Sequence, residues 1–568
     1  MASRNAMTVR RVLDTVNRSS NYIVRKSSAW TQEKLITTPY DKIEIPNTTV
    51  YDYVWQNLEK WPEKTLSVCA ETGRGYTYER AFYLSNAFAA NLRSKLKIRD
   101  GDTVSVMLPN LPDFPLIAMG ILGAGGVIST INPMYTAHEV QRQLSVSKAK
   151  TVITIPEILK IVKDALKMAK LNIPIIVVKT NGDATPEGTY CYNELSEDVH
   201  VDTSCLKQVR RTQDDICFLP YSSGTTGLPK GVELSNRNLV ANFEQMSVSQ
   251  IRHHEDTTDT HQDSVMAVLP FFHIYGASVT MFHKMSIGAK IVPLARFKPE
   301  IFLNALEKLK IDILYVAPPL VLMMSAHPAA TEETFQYLRT AVNGAAPLGL
   351  SDVERFLKKI KQKIDFRQAY GLTETSPLVL MPPTSSIDYQ TVGFPVSSTE
   401  AKIVDGELKA VGPNETGELL LRGPQVMRGY RDDPKANNEV FTVDGWFRTG
   451  DLVVANDEGR ITITDRLKEL IKVKGFQVPP AELEAILRDH PAVNDAAVIG
   501  VPHPTKGEVP KAFIVLKPDH KTEAKDISEF VNDKVAHYKK IKDIVFLDSI
   551  PKSPAGKILR KDLKAKYA

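Results

Sequence analysis

The sequence is poor in cysteine and carries little net charge. Its four cysteines, among 568 residues, form no CxxC pair and no metal-ligand spacing. This excludes a small disulfide-stabilised scaffold and gives no sign of a cysteine-bound metal. Lysine and arginine total 71 and aspartate and glutamate 66, which leaves a formal net charge of +5. So small an excess gives no reason to expect a nucleic-acid partner.

The positive excess is concentrated at the amino terminus. Residues 1–30 contain six basic residues and one acid, Asp14, so the remainder of the chain is formally neutral. The segment is also rich in Ser, and its aliphatic residues between positions 9 and 16 fall on one helical face. These features predict a mitochondrial targeting leader over 1–30. A disordered basic tail on a cytoplasmic protein is the alternative, and the chain does not end in the peroxisomal address Ser-Lys-Leu.

Long apolar runs are scarce. Residues 114–131 are numerous enough to span a bilayer, but they include Pro115 and three glycines between 123 and 126. The run therefore predicts a buried helix over Leu111–Leu122 and a short strand over Val127–Ile131. No transmembrane segment is expected.

What is present is the composition of a soluble globular protein, with 43% hydrophobic and 24% charged residues. Apolar strands alternate with amphipathic helices up to about residue 399, which predicts α/β layers with largely parallel sheets. Short strands separated by Gly, Pro and Asp follow, including one over Glu407–Ala410, and predict a β-rich subdomain. After Asp465 the pattern is that of a compact α+β unit. The predicted fold class is α/β, a large N-terminal domain of layered α/β subdomains and a β-rich subdomain followed by a small α+β C-terminal domain.

A polar stretch at 253–263 combines histidines with acids. His253, His254 and His261 lie close to Glu255 and Asp263, but their spacing fits no standard metal site. An exposed loop is the prediction.

The strongest chemical signal is the segment 221–231, which follows the apolar strand Ile216–Leu219. Glycines let a backbone approach an anion, hydroxyls donate to phosphate oxygens, and a lysine adds a positive charge. The P-loop spacing is absent, and a flexible surface turn is the alternative. The residues predicted to hold a polyphosphate are Ser222, Ser223, Gly224, Thr225, Thr226, Gly227 and Lys230.

This segment resembles the phosphate loop of the adenylate-forming enzymes, a superfamily of acyl-CoA synthetases, 4-coumarate–CoA ligases, beetle luciferases and peptide-synthetase adenylation domains. The resemblance covers about residues 40–565, and the motif sequences are most similar to those of the 4-coumarate–CoA ligase branch. The further motifs occur in the family's order: Pro270–Gly276, Asn343–Pro347, Gln368–Thr375, Trp446–Asp451, Asp465–Gln477 and Pro551–Arg560.

The resemblance implies an ATP-dependent acyl-CoA ligase with Mg²⁺ and coenzyme A. The acid's carboxylate attacks the α-phosphate of ATP, pyrophosphate leaves, and the thiol of coenzyme A then displaces AMP. Glu374 is implied to hold Mg²⁺, Thr373 to touch the α-phosphate, and Lys557 to bridge ribose and α-phosphate in the first step. The remaining implied nucleotide contacts are Ala346, Gln368, Ala369, Tyr370, Met381, Asp451, Arg466, Lys468 and Lys472.

The resemblance also implies a domain rotation between the two steps. Residues 31–465 are then the AMP-binding domain, 466–470 the hinge around Lys468, and 471–568 a mobile C-terminal domain. Arg296, Lys474 and Gly475 are implied to contact coenzyme A. The residue pattern of 468–474 is also that expected of an amphipathic strand with one solvated face.

The implied acyl pocket is mostly apolar. It consists of His273, also counted among the catalytic residues, and of Tyr275, Val279, Gly344, Ala345, Pro377 and Leu378. His273 stands where amino-acid-activating relatives have an Asp, so an amino acid substrate is not expected. A medium- to long-chain fatty acid and an aromatic propenoic acid both fit this lining. The alternative activity is that of a luciferase-like monooxygenase acting on the adenylate. The acid and the oligomeric state stay open.

Overall fold

A computed structural model describes residues 29–179, 184–222, 229–467, 469–473, 476–503, 506–518, 520–554 and 556–567, without the side chains of Phe476 and Gln477. All but two residues of the predicted leader, 1–30, lie outside this description. Over the described ranges, no helix is both long and apolar enough to cross a bilayer.

Two largely parallel sheets form the first part of the chain, as the alternating pattern predicted. Within the described residues the first sheet has this spatial order: Tyr221–Ser222, Lys230–Ser235, Ile216–Leu219, Val127–Thr130, Thr103–Val106, Thr151–Thr154, Ile175–Val177 and Tyr190–Cys191, with Gly429–Tyr430 beside Lys230–Ser235. The second has the order Asp365–Gln368, Thr340–Asn343, Ile313–Val316, Ser264–Ala267, Lys290–Pro293, Thr65–Val68 and Gly75–Thr77.

Helices cover these sheets. They are Val50–Trp55, Tyr78–Ser94, Phe114–Gly123, Ala137–Ser147, Leu159–Ala169, Tyr192–Ser196, Asn236–Ser247, the π-helix Tyr275–Phe282, His283–Ser286, Pro299–Lys308, Pro318–Ala326 and Leu350–Ile360. The apolar run 114–131 divides into a buried helix and a strand as predicted, although the helix begins at Phe114 because Pro115 suits a first helical turn. Ser235 caps Asn236–Ser247 by accepting the backbone N–H of Asn238.

Parallel register brings strand ends together. Asn343 is paired with Gln368 at the carboxyl ends of two neighbouring strands. The chain continues from these ends into Gly344 and Ala369, so the two segments meet at one edge of the sheet. Ligands of open α/β sheets bind at this edge.

A β-rich part follows. A three-stranded sheet contains Tyr370–Gly371, Leu378–Met381 and Phe394–Pro395, and a five-stranded antiparallel sheet contains Leu35–Thr37, Glu400–Val404, Thr416–Arg422, Phe447–Ala455 and Ile461–Arg466. The helix Pro434–Val440 lies between its third and fourth strands along the chain. In the last two strands, Asp451 is paired with Arg466.

The strand predicted over Glu407–Ala410 is wrong. Ala410 makes one isolated bridge to Val404, and Leu408 has a φ of 63°. The carboxylate of Asp405 accepts the backbone N–H groups of Glu407 and Lys409, which closes a tight turn instead of a strand.

The C-terminal unit has a sheet of its own, in the order Phe476–Val478, Ile471–Val473, Gly507–Leu516 and Val493–His503, with Asp543–Phe546 beside Gly507–Leu516. Its helices are Pro480–Arg488, Ala524–Asn532 and Arg560–Tyr567. Leu483 and Leu487 pack against Val498 and Ile514 in a core separate from those of the first part. The fold class is therefore the one predicted, a large α/β part with a β-rich subdomain followed by a small α+β domain.

The polar stretch 253–263 forms a loop as predicted, but it is not exposed throughout. His253, His254 and Asp263 are buried. His261 and Arg339 both lie against the carboxylate of Asp263. No group of three or more metal-ligating side chains occurs in the described part of the chain.

Candidate active site

One cavity of about 490 Å³ lies where the two parallel sheets, the β-rich part and the C-terminal domain meet. Its walls come from the strand ends at Thr130, Gly344 and Ala369, from the π-helix Tyr275–Phe282, and from Lys557 of the C-terminal domain. Residues far apart in the sequence therefore line one cavity.

The predicted acyl pocket is brought together as a set. All seven residues line the cavity: His273, Tyr275, Val279, Gly344, Ala345, Pro377 and Leu378. The hydroxyl of Tyr275 donates to the backbone oxygen of Val342 at 3.1 Å. A Cβ at Gly344 would lie 2.9 Å from the ring of Tyr275, so the absence of a side chain at 344 lets this ring lie against the strand end.

Four further residues line this part of the cavity and were not predicted: Met246, His253, Tyr315 and Val342. The Nδ1 atom of His253 lies 3.2 Å from the hydroxyl of Tyr315. The Tyr315 ring also meets the Tyr275 ring edge-on, with centroids 6.1 Å apart. Tyr315 is the single polar residue of the buried strand Ile313–Val316, which is the one sequence signal that marks it.

His273 is neutral and oriented. Burial, and then the nearby ammonium of Lys557, lower its pKa to about 4. Its Nδ1 is placed to accept the backbone N–H of Tyr275 at 3.3 Å. In the neutral ring the proton then resides on Nε2, which makes that nitrogen a donor.

Tyr370, Asp451 and Arg466 form a second group. The Tyr370 hydroxyl donates to Asp451 Oδ2 at 2.6 Å, and Arg466 Nε lies 3.2 Å from Asp451 Oδ1. Tyr370 and Arg466 line the cavity, whereas Asp451 lies behind them and is 2% exposed. Burial raises the pKa of the Asp451 carboxyl, although Arg466 opposes this shift.

Glu374 lines the cavity beside Thr373. The hydroxyl of Tyr430 donates to Glu374 Oε1 at 2.8 Å and so fixes the carboxylate. The ammonium of Lys230 lies 4.9 Å from the centre of the Tyr430 ring. A largely buried carboxylate that faces a cavity fits the oxygen ligands that Mg²⁺ requires.

The predicted phosphate segment is described in part. Ser222 and Lys230 are paired in antiparallel strands and both line the cavity. The remaining residues of this prediction, Ser223, Gly224, Thr225, Thr226 and Gly227, lie outside the described residues, as do Lys468, Lys474 and Gly475.

Lys557 reaches the cavity from the C-terminal domain, together with Ser553 and Pro554. Burial, and then the guanidinium of Arg466, lower the pKa of its ammonium to about 8, against the opposing effect of Glu469 and other carboxylates. Lys557 is therefore largely charged at neutral pH and next to the Asp451 group.

Several predicted nucleotide and coenzyme A residues do not line the cavity: Ala346, Gln368, Lys472 and Arg296. The side chain of Gln368 is bonded to Asn343, to both backbone groups of Leu348 and to the carbonyl of Tyr389, so its amide joins a neighbouring strand end to two loop segments. Ala346 accepts a side-chain bond from Asn343 through its backbone oxygen. Arg296 and Lys472 are exposed. The other two predicted nucleotide contacts, Ala369 and Met381, do line the cavity.

The cavity thus combines an apolar pocket with carboxylates, hydroxyls and lysines. The family model for AMP-binding enzymes matches residues 54–431, and the model for the AMP-binding enzyme C-terminal domain matches 482–557. The chain belongs to the AMP-binding enzyme family.

The named relatives are ligases. The chain is 34% identical over 564 residues to 4-coumarate–CoA ligase 1 of Arabidopsis thaliana, covering 97% of this chain and 98% of the relative. It is 38% identical over 534 residues to 4-coumarate–CoA ligase 2 of Petroselinum crispum, covering 93% and 95%. Among solved structures, the anthranilate CoA ligase AuaEII in complex with anthranoyl-AMP is similar with a TM-score of 0.81 at 25% identity, covering 92% of this chain and 98% of that one. The protein is an AMP-forming acid–thiol ligase that uses ATP, Mg²⁺ and coenzyme A.

Proposed function

We propose that the enzyme forms the coenzyme A thioester of an acid that is apolar beyond its carboxylate, best an aromatic propenoic acid of the 4-coumarate type. The observation that carries this proposal is the wall of the acyl pocket. Val279, Val342 and Leu378 are aliphatic, and Tyr275 and Tyr315 present aromatic rings. Aromatic pairs favour edge-to-face contacts, which a bound ring would extend.

The hydrogen-bonded pair of His253 and Tyr315 supports an aromatic acid over a fatty acid. An unbranched alkyl chain gains nothing from polar atoms at its side, whereas a substituted ring offers oxygen atoms to them. A medium- to long-chain fatty acid is the second candidate, because Met246 and Met381 are flexible apolar side chains that adapt to an alkyl chain. The names of the relatives do not favour a luciferase-like oxygenation.

In the proposed first step the chain mainly positions groups and stabilises charge. The Nε2–H of His273 orients the acid's carboxylate, and the ammonium of Lys557 stabilises the charge that develops on the α-phosphate. Glu374 would hold Mg²⁺, which would neutralise charge on the polyphosphate, and Ser222 and Lys230 would contact phosphate oxygens. Tyr370, Asp451 and Arg466 hold the ribose side of the nucleotide.

In the proposed second step the C-terminal domain rotates about the hinge 466–470. Lys557 then leaves the cavity, and the side of the domain that carries Lys474 and Gly475 faces the adenylate for attack by the thiol. Arg296 is a coenzyme A contact in this proposal, and its exposed position leaves it accessible to a large ligand.

Carboxylate-dependent ATP–pyrophosphate exchange tests the substrate proposal. The acids would be cinnamate, 4-coumarate, octanoate and palmitate, each followed by coenzyme A and detection of AMP and thioester. We expect exchange and thioester with the hydroxycinnamate. Exchange with the fatty acids alone would favour the second candidate, and exchange without thioester would contradict the ligase.

Tyr315→Phe makes the same test residue-specific. The variant keeps the ring and loses the hydroxyl, so we expect it to raise the KM for 4-coumarate and to leave that for cinnamate unchanged. Equal changes for both acids would argue against a contact of the His253–Tyr315 pair with the substituent of the ring.

A further inference from the structure

A second contact joins the two domains away from the cavity. The helix Pro480–Arg488 of the C-terminal domain ends against the first turn of Leu350–Ile360 in the large domain. Ser351 Oγ donates to Asp489 Oδ1 at 2.6 Å, and Arg488 Nε lies 3.5 Å from Asp352 Oδ2. We call these four residues the helix clamp.

Asp352 is the buried centre of the helix clamp. It is 2% exposed, and it lies in the first turn of its helix, where the unpaired backbone N–H groups favour a negative charge. Arg355 of the same helix lies 3.1 Å from Asp352 Oδ1, so one carboxylate oxygen is paired within the large domain and the other faces Arg488. Arg488, with 15% of its side chain exposed, lies in the last turn of its own helix, where a cation is favoured.

Because the two carboxylate oxygens of Asp352 have separate partners, the contact between the domains can open. When Arg488 leaves, Asp352 keeps Arg355 and the helix N-terminus, so the large domain is not left with an unpaired buried charge. Ser351 and the exposed Asp489 exchange their hydrogen bond for water at little net cost. The helix clamp therefore adds orientation without a large barrier to separation.

The helix clamp is coupled mechanically to Lys557. Nη2 of Arg560, three residues after Lys557, donates to both carboxylate oxygens of Glu484, at 2.7 and 2.9 Å, and Glu484 lies on the helix that ends in Arg488. Leu487 of that helix is fully buried in the core of the C-terminal domain. A displacement of the helix end must therefore displace the Lys557 segment with it.

We propose that the helix clamp positions the C-terminal domain for adenylate formation. It fixes the orientation in which Lys557 enters the cavity, and it opens before the thioester step. Ser351, Asp352, Arg488 and Asp489 are positioning residues in this proposal, because they contact neither substrate nor the reacting atoms. The inference rests on the role proposed above for Lys557.

Arg488→Ala tests the helix clamp by separating the two half-reactions. We expect the rate of ATP–pyrophosphate exchange to fall about fivefold with little change in the KM for ATP, because fewer molecules hold Lys557 in place. Thioester formation from supplied acyl-adenylate should be unchanged or faster. Arg488→Lys should recover part of the exchange rate.

Two further variants keep the test free of folding defects. Ser351→Ala removes the hydrogen bond at the exposed end of the helix clamp without leaving a buried charge, and should lower exchange about twofold. Arg355→Ala is the matched control, because it removes the other partner of Asp352 and breaks no hydrogen bond or ion pair between the domains in the part of the chain that the structure describes. Its exchange rate should stay at the wild-type value.

Three results would overturn the proposal. Equal loss in both half-reactions would make Arg488 a structural residue only. If Arg488→Ala and Ser351→Ala show normal exchange while Lys557→Ala is defective, the positioning role of the helix clamp is refuted and the role of Lys557 is not. Normal exchange in Lys557→Ala would refute the role of Lys557 itself, and the helix clamp would then have nothing to position.

Discussion

Tyr370 donates its hydroxyl to Asp451 at 2.6 Å, and so links the three-stranded sheet to the five-stranded antiparallel sheet beside the cavity. Arg466 is paired with the other oxygen of the same carboxylate. Asp451 is thus held from two sides, and its side chain is almost fully buried. Such a carboxylate has lone pairs fixed in direction before a ligand arrives, which lowers the entropic cost of binding.

We expect Tyr370→Phe to raise the KM for ATP about tenfold, because one hydrogen bond to a charged group is lost and Asp451 is freed to turn toward Arg466 alone. The turnover number at saturating ATP should change less, since the phenol contacts no reacting atom in this arrangement. Steady-state exchange kinetics provide the measurement. A change in turnover with an unaltered KM would contradict this role.

We expect Lys557→Ala to lower adenylate formation at least a hundredfold, because a charge placed at the reacting phosphate is removed from a buried site. Thioester formation from supplied acyl-adenylate should be largely intact. Lys552→Ala is the matched control in the same segment: its ammonium is paired with Asp495 at 2.6 Å and does not line the cavity. Equal loss in both half-reactions would refute the separate role of Lys557.

The pKa of Lys557 predicts a pH dependence. Burial lowers this pKa to about 8, so the free enzyme loses the charge as the pH rises through that value. We expect kcat/KM for adenylate formation to be level from pH 6 to 7.5 and to fall above pH 8, since this parameter reports groups of the free enzyme. Lys557→Arg should move the fall to higher pH, because a guanidinium keeps its proton. A fall at the same pH in both would assign it to another group.

The motif residues of this site could be predicted from sequence because family resemblance fixes their order along the chain. The α/β layers could be predicted because buried parallel strands are continuously apolar, as in Ile175–Val177. The positions of Met246 and His253 in the cavity wall could not be predicted, because they depend on packing between elements far apart in the sequence. Gln368 illustrates the reverse case: its motif implied a nucleotide contact, whereas its side chain is bonded to Asn343 at a neighbouring strand end and to the backbone of Leu348.

Gly556 is expected to be intolerant of substitution. Its φ is 82°, and a Cβ would lie 2.9 Å from Pro319 of the large domain. Gly556→Ala should therefore lower adenylate formation about tenfold, because the neighbouring Lys557 is pushed back from the cavity. Gly445→Ala is the matched control, since Gly445 has the same φ of 82° but no neighbour within 4 Å of a Cβ. If both variants lose activity equally, backbone strain and not the contact with Pro319 is the cause.

We expect substitution of Lys284 by methionine to stabilise the folded protein. Its side chain is fully buried, its Nζ has no hydrogen-bond partner among the described residues, and it lies 5.5 Å from the centre of the Tyr315 ring. Lys284→Met keeps the length and removes the buried charge, and should raise the free energy of unfolding by about 1 kcal/mol at pH 7. Lys290→Met is the control, because Lys290 donates to the backbone oxygen of Leu309 and the same change loses that bond.

The difference in the free energy of unfolding between Lys284→Met and the wild type should decrease as the pH rises. Burial lowers the pKa of Lys284 to about 8, below its ordinary value of 10.5, so the unfolded chain binds more protons between these two values. The wild-type protein therefore gains stability from this group as the pH rises from 8 to 10.5, and Lys284→Met does not. Thermal unfolding at pH 7 and at pH 9.5 should show the advantage of the variant shrinking at the higher pH. A variant less stable than the wild type at pH 7 would mean that the ammonium is stabilised by Asp263 and Asp312 more than burial opposes it.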